Sequence, residues 1–581
     1  MPRPNDVVIF EGMNRFNKIL VGTIVTRYWA PTVVAGLVIL LWAPRLSGPI
    51  DLRWDAGVYY ILGTSLATGH GYRILSEPGS PEALQYPPLL PAVVALHQRA
   101  LGSTDPAVVA PWLRKVNLII FVLYAFGVLC LAQRYLPIGF AVAAVSLCLL
   151  HFMTIFISDL LSVDLPFALT AVFFVLVAGS RALASRLWLR EVASFALAAA
   201  GFFLRTAGVA LLAAWVLEAV ARRRWRLAIV RGVSAALPVL SWQSHVARVQ
   251  ASYEYAHPAY EYQRAPYQFY NVSYAENIGL IGDKHVHLPA LTAHLGSNLG
   301  PILTGLGESV STSGYYWRQF LADMERLWTG RRDSHPVLVL VPMMCFSALV
   351  ITGLVIVAIR RAWLMLFVPV ISIGLMWATP WPDQFQRYLM PLAPFLVVAA
   401  MLPLSQLQAG LRASTEGRPF TIIVVRVAIA GFVLLALSVQ TYTAGQLFYQ
   451  RWRNAATFGH GSKAGSHYFY FSRGWQAWEK AVAWLGANSP PEAIVATPQR
   501  HLCYLRTNRR AVIPPMETDP KRAKELLEAV PVSYVIIDKT GEMASFGRRY
   551  ALPAVKEDSL SWPLAYSVDG TQIYARASSP K

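Results

Sequence analysis

Asp51-Leu-Arg-Trp-Asp55-Ala-Gly-Val-Tyr59-Tyr60-Ile-Leu-Gly63, then Gly69-His70-Gly71-Tyr72, then Tyr86-Pro87-Pro88-Leu-Leu-Pro91: this stretch follows an apolar run from Tyr28 to Pro44, and its reading decides the fold. An ordinary loop after a membrane span needs only polar and turn-forming residues. Here acidic residues stand before a ladder of small and aromatic side chains, and a Tyr-Pro-Pro turn closes the segment. Asp55 and Tyr59 are four apart, which is about one turn wherever the segment is helical.

The rest of the chain supplies the membrane. Of 581 residues 55% are hydrophobic and 14% charged, and the mean hydropathy is +0.42; soluble domains carry about a quarter charged residues. The net charge of +19 does not point to nucleic acid, because Lys and Arg fall at the ends of apolar runs instead of forming a stripe with interleaved aromatics. Cys130, Cys148 and Cys345 lie inside apolar runs and Cys503 in a polar region, which excludes a disulfide framework or a CxxC metal site. Arg3, Arg15, Lys18 and Arg27 precede the first apolar run, and no small-residue cleavage site follows it, so a retained first span is expected.

A hydrocarbon core of about 30 Å needs roughly 20 apolar residues in a helix. Runs near that length predict eleven spans, at 28–47, 114–134, 138–157, 164–180, 190–204, 206–221, 227–243, 337–359, 362–380, 386–406 and 419–441. With a cytoplasmic N-terminus, alternation puts Arg134, Arg181 to Arg190, Arg222 to Arg231, Arg360-Arg361 and Arg412 to Arg418 inside. Segments 48–113 and 244–336 and everything after 442 are then extracytoplasmic, and the apolar segment 86–101 is read as an interfacial or re-entrant helix. Two domains are expected, a transmembrane unit over 1–444 and a soluble α/β unit over 445–581. In the second, Ala493 to Ala496 and Val532 to Ile537 read as strands, and Trp475 to Leu485 and Asp519 to Ala529 as helices, with Asp519-Pro520 as cap and first-turn residue.

The segment 51–91 resembles the first extracytoplasmic loop of polytopic GT-C glycosyltransferases, in which an Asp shortly before a Tyr opens a loop helix and a Pro-rich turn closes the segment. Two further strings carry the resemblance: Phe156-Ile-Ser158-Asp159-Leu-Leu-Ser162-Val-Asp164-Leu-Pro166-Phe167, and Trp381-Pro382-Asp383-Gln-Phe-Gln386-Arg387-Tyr388-Leu-Met-Pro391-Leu-Ala-Pro394. The C-terminal pattern is similar to the appended domain of bacterial polyprenyl-phosphate-sugar-dependent transferases. The resemblance implies a GT-C-like helical membrane protein, in the cytoplasmic (inner) membrane of a bacterium. It would transfer a sugar with inversion from a polyprenyl-phosphate donor to a hydroxyl of a lipid, glycan or protein acceptor. It also assigns roles: Asp55 as general base, Asp164 as second carboxylate, Arg205 and Arg387 as phosphate ligands, and Tyr59, Tyr86 and Tyr388 as substrate contacts. Aminoarabinose transferases carry Lys-Pro where this chain has Pro87-Pro88, and protein O-mannosyltransferases carry an Asp-Glu pair where it has Asp55-Ala56, so neither substrate is implied.

Each assignment has a plainer counterpart. Asp55 and Asp164 could cap helices, with Asp51 and Asp159 as alternates. Arg205 could snorkel at a hairpin and Arg387 with Tyr388 could anchor at the interface. The tyrosines of loop 244–336 (Tyr253, Tyr255, Tyr260, Tyr262, Tyr267, Tyr270, Tyr274) suit stacking against sugar rings or ordinary interfacial packing. No cofactor is expected; a divalent metal at His285-x-His287 would lack the carboxylates of a catalytic set, and His257 and His294 add none. Asn271-Val-Ser273 matches a glycosylation sequon. The competing class is a transporter or flippase for a lipid-linked saccharide, which would show repeats and broken spans in matching halves; none is visible.

Overall fold

The computed structural model describes residues 28–180, 182–183, 185–263, 281–282, 285–286, 288–329, 336–379, 384–413, 419–458, 468–541 and 546–577. Among these, six helices are long and apolar enough to cross a membrane: Tyr28–Arg45, Pro106–Gln133, Leu187–Leu204, Leu338–Ile359, Phe385–Leu411 and Ile422–Asn454. The helices Ile138–Leu150 and Phe152–Ser158 add a seventh if the pair, bent by 57°, is one broken span. His151 makes the break: its backbone leaves the helix, its side chain accepts from Met153 N, and its Nε2 meets Glu308 O at 3.0 Å. Three more expected spans coincide with the shorter helices Asp164–Ala178, Thr206–Ala221 and Trp363–Trp377. Fifteen residues at about 1.5 Å each reach only some 22 Å, short of the hydrocarbon core. The expected span 227–243 lies within Trp225–Gln250, where Arg226, Arg231 and Arg248 lower its hydropathy.

The bundle closes around Phe385–Leu411, 89% buried over its apolar window. A Cβ at Gly353 would collide with the Ala399 carbonyl, so the helix Pro336–Ile359 approaches this central helix backbone to backbone. A second close approach shapes the site end of the bundle. The turn Thr206–Gly208 folds back on the end of Leu187–Leu204, where a Cβ at Gly208 would strike the Gly201 backbone.

The loop helix is present as Asp55–Ala67, buried along most of its length. The segment expected to be interfacial forms Leu89–Leu101, which packs on the loop helix with Val94 against Gly63. In the C-terminal region two predicted strands appear as β3 (Ile494–Ala496) and β5 (Val532–Ile537). The predicted helices appear as Arg473–Asn488 and Pro520–Ala529, the latter capped by Asp519 through Lys521 N at 3.1 Å. With β4 (Ala511–Val512), β6 (Leu564–Val568) and β7 (Thr571–Ala575), these strands form one sheet in the order β4-β3-β5-β7-β6. The β4-β3-β5 half is parallel and the β5-β7-β6 half antiparallel. A separate two-residue pairing joins β1 (Ile281–Gly282) to β2 (His285–Val286).

Candidate functional site

The loop helix begins at Asp55, and the residue before it is strained: Trp54 has φ 54° and ψ −134°, a conformation costly for a bulky residue. Packing holds it there. The Trp54 indole lies edge-on between Phe156 at 5.4 Å and Trp475 at 5.8 Å, with the Arg53 guanidinium 4.5 Å from its ring. Arg53 in turn forks onto Asp51 at 2.6–3.0 Å and donates to the Phe469 carbonyl at 2.6 Å. The turn around Asp159–Leu161 is stitched to the loop at Asp51 by backbone bonds, Asp51 N to Asp159 O at 3.0 Å and Leu161 N to Asp51 O at 3.1 Å. The C-terminal helix Arg500–Thr507 also rests on the loop helix, His501 against Gly57. Beside it Arg500 Nε pairs with the buried Glu77 at 2.9 Å. Burial pushes the Glu77 carboxyl up while Arg500 pulls it back.

On this frame four charged side chains from distant parts of the chain meet. Arg387 donates through Nη2 to Asp55 Oδ2 at 2.8 Å and through Nε to Asp164 Oδ2 at 3.0 Å. Arg205 donates through Nη1 to Asp164 Oδ1 at 2.6 Å, and its guanidinium lies 4.8 Å from the Tyr388 ring. Asp164 has no exposed surface and takes a further bond from Ser162 Oγ at 2.7 Å. Asp55 keeps 22% of its side chain exposed. Arg387 Nη1, and Nε and Nη2 of Arg205, make no hydrogen bond to another described residue. The site therefore presents one accessible carboxylate beside N–H edges that can receive an anion.

Tyr59 lies one turn along the loop helix from Asp55 and packs on Tyr86 with ring centroids 4.9 Å apart. Burial first, and then the charge of Asp55, hold the Tyr59 phenol well above its ordinary pKa, so it stays a neutral donor. The same hydroxyl feels Asp164, Arg205 and Arg387. Asp55, Asp164, Arg205, Arg387, Tyr388, Tyr59 and Tyr86 are thus neighbours. The alternates are not: Asp51 is taken by Arg53, and Asp159 by Arg114 at 2.7 Å. Nor does Asp164 serve as a cap, since Val163 holds that position and the Asp164 oxygens face two guanidiniums and a hydroxyl.

Sequence reasoning missed Ser162, Trp54 and Trp475. A Ser two positions before a carboxylate in a turn was a legible signal for the first; the two tryptophans meet only through the fold. Trp381, Pro382, Asp383, Tyr267, Tyr270, Tyr274, His287 and Asn271-Val-Ser273 lie outside the described residues, as do the side chains of His285 and His294. Among the described residues no three His, Cys, Asp or Glu side chains converge as a metal-binding group.

No family model and no curated protein matches the chain. Solved structures do. The archaeal oligosaccharyltransferase AglB from Archaeoglobus fulgidus, in complex with an inhibitory peptide and a dolichol-phosphate, superposes with a TM-score of 0.52 at 13% identity, over 95% of this chain and 75% of that one. The same organism's enzyme tethered to an acceptor peptide gives 0.51 at 14% identity, over 96% and 75%. ArnT from Cupriavidus metallidurans bound to undecaprenyl phosphate gives 0.49 at 12% identity, over 95% and 98%. The oligosaccharyltransferase superpositions, over nearly the whole chain, show that it shares their fold: a multi-pass helical membrane architecture with a C-terminal α/β region.

Proposed function

We propose that the protein is a glycosyltransferase of the GT-C type that moves a sugar from a polyprenyl-phosphate carrier to an acceptor hydroxyl at the extracytoplasmic face, with inversion. The observation that carries this reading is Arg387, which joins the half-buried Asp55 and the buried Asp164 and keeps one N–H edge uncommitted among the described residues. The dolichol-phosphate in the archaeal oligosaccharyltransferase structure supports a phosphate-bearing lipid as the donor class.

In this mechanism the acceptor O–H gives its proton to Asp55 as its oxygen bonds the anomeric carbon. The bond from that carbon to the phosphate oxygen breaks, and the leaving phosphate keeps the electron pair. Arg387 and Arg205 stabilise the charge that develops there, which is worth most in a site partly shielded from water. Asp164 is too buried to reach an acceptor and acts as a positioning residue that aims both guanidiniums. Tyr86 and Tyr388, both half-buried, wall the site with rings suited to a sugar face, and Tyr59, buried, packs behind Tyr86. A single displacement inverts the anomeric centre.

The test is transfer by the purified full-length protein with radiolabelled polyprenyl-phosphate sugars and a panel of lipid, glycan and peptide acceptors. A glycosylated product of inverted configuration supports the reading. Translocation of a lipid-linked saccharide across vesicles with no transfer would assign a transporter instead.

A further inference from the structure

Behind the acid–base site, at the foot of the strained loop, three arginines converge on one carboxylate. Arg45 ends the first helix, Arg114 sits on Pro106–Gln133 and Arg451 on Pro419–Phe458; they are 0%, 2% and 5% exposed. The carboxylate among them is Asp159, 2% exposed. Its Oδ1 accepts from Arg114 Nη1 at 2.7 Å, with Arg451 Nη1 at 3.6 Å. The next carboxylate, Asp51, is engaged on both oxygens by Arg53. Among the described residues the cluster therefore carries two more positive than negative charges.

The hydrogen bonds are incomplete in the same sense. Arg45 gives Nε to Leu41 O at 2.8 Å and Nη1 to Ile155 O and Ser158 Oγ at 3.0 and 2.7 Å. Arg114 gives its donors to Pro49 O and Arg45 O as well as Asp159. Arg45 Nη2 and both Nη atoms of Arg451 are buried with no hydrogen-bond partner among the described residues. Aromatic faces cover the flat sides of these guanidiniums, Trp42 4.3 Å from Arg45 and Phe469 5.2 Å from Arg451. They leave the N–H edges unserved.

A guanidinium does not shed its proton in a protein, and an uncompensated buried charge is among the most costly features a fold can hold. Water would satisfy the N–H groups but not the charge. We propose that the edges of Arg45 and Arg451 hold a small inorganic anion, a halide or a compact oxyanion, that neutralises the cluster. Asp159 Oδ2 is also buried without a partner among the described residues, so the anion shares the space with a water or brings its own hydroxyl, as hydrogen phosphate does. The site is distinct from the Arg205–Arg387 edges. It braces the loop from behind, because Asp159 is bonded to Asp51 through the backbone and Asp51 grips Arg53.

The experiment uses the full-length protein in detergent, exchanged into sodium gluconate and titrated with chloride, bromide or phosphate at constant ionic strength. The wild type should show a saturable rise of several degrees in thermal midpoint with at least one of these anions. Arg451→Gln should lose that dependence and, in gluconate, melt no lower than the wild type, because it removes one of the two charges left in excess among the described residues. No anion-specific shift in the wild type, or an unchanged shift in Arg451→Gln, overturns the proposal. Should Arg451→Gln fail to fold, bromide-soaked crystals of the wild type decide. An anomalous peak between Arg45 and Arg451 supports the site; its absence, or density continuing into an acyl chain, refutes the inorganic anion.

Discussion

Replacing Arg387 with Ala tests the donor side of the mechanism, and the structure fixes what the change removes. Arg387 makes two charge-assisted bonds, 2.8 Å to Asp55 and 3.0 Å to Asp164, and offers Nη1 to the phosphate. A hydrogen bond to a charged group is worth about 1.5–3 kcal/mol, so losing the phosphate contact should weaken donor binding by roughly ten- to a hundredfold, at about 1.4 kcal/mol per factor of ten. The substitution also leaves Asp55 and Asp164 less neutralised, and their charge opposes the phosphate. The fold should survive, because Asp164 keeps Arg205 and Ser162 as partners. Arg387→Lys retains the charge without the planar fork; it should recover part of the donor affinity and less of the turnover. The assay is equilibrium binding of radiolabelled polyprenyl-phosphate sugar, with thermal midpoint as the control for folding. Donor affinity within twofold of wild type in a folded Arg387→Ala protein would refute the phosphate role and return Arg387 to a purely structural ion pair.

Three further outcomes follow from the geometry. Asp164→Asn removes the charge that aims both guanidiniums but leaves them cationic, so turnover should fall about tenfold or more while donor affinity holds or improves; a loss as large as that of Asp55→Asn would move the base role to Asp164. Trp475→Ala takes away one of the two rings that clamp Trp54, and should lower turnover several-fold with little change in donor KM and with recovery in Trp475→Phe; equal activity in all three proteins would detach the C-terminal region from the site. Reporter fusions after Ala182, Arg223, Gly282, Arg361, Arg412 and Arg451 should read in, in, out, in, in, out, and since Arg451 meets Arg45 and Asp159 at the loop end, a cytoplasmic signal from the last fusion would overturn the orientation of the whole bundle.

The sequence was most informative where local chemistry is self-contained. Asp519-Pro520 opened a helix because a carboxylate cap and a proline both act within one turn, and the runs ending at Ala496 and Ile537 formed strands of a buried sheet as their apolar, β-branched content required. The site residues were singled out by the resemblance of the strings around Asp55, Asp164 and Arg387 to those of GT-C transferases. Their mutual pairing could not be read there: Arg387 is 223 residues from Asp164 and 332 from Asp55, and that contact exists only once the helices pack. The same limit hid Trp475 behind Trp54. The break at His151 passed as one continuous span because a single histidine barely lowers the hydropathy of its neighbours, whereas its Nε2 finds Glu308 O only in three dimensions. Asp51 and Asp159 stood as alternates to Asp55 and Asp164; their pairing with Arg53 and Arg114, away from Arg205 and Arg387, separates them.

The central claim is that Asp55 takes the acceptor proton, and the most direct measurement is single-turnover transfer by Asp55→Asn with radiolabelled lipid-phosphate sugar. Asparagine keeps the size of the side chain and can still accept a bond from Arg387, but it cannot serve as a base. A general base contributes about 10²–10⁴-fold. The account predicts a fall in rate of that order with thermal midpoint and donor binding near wild type. Retention of more than about a third of the wild-type rate, against that expected contribution of a base, would contradict it.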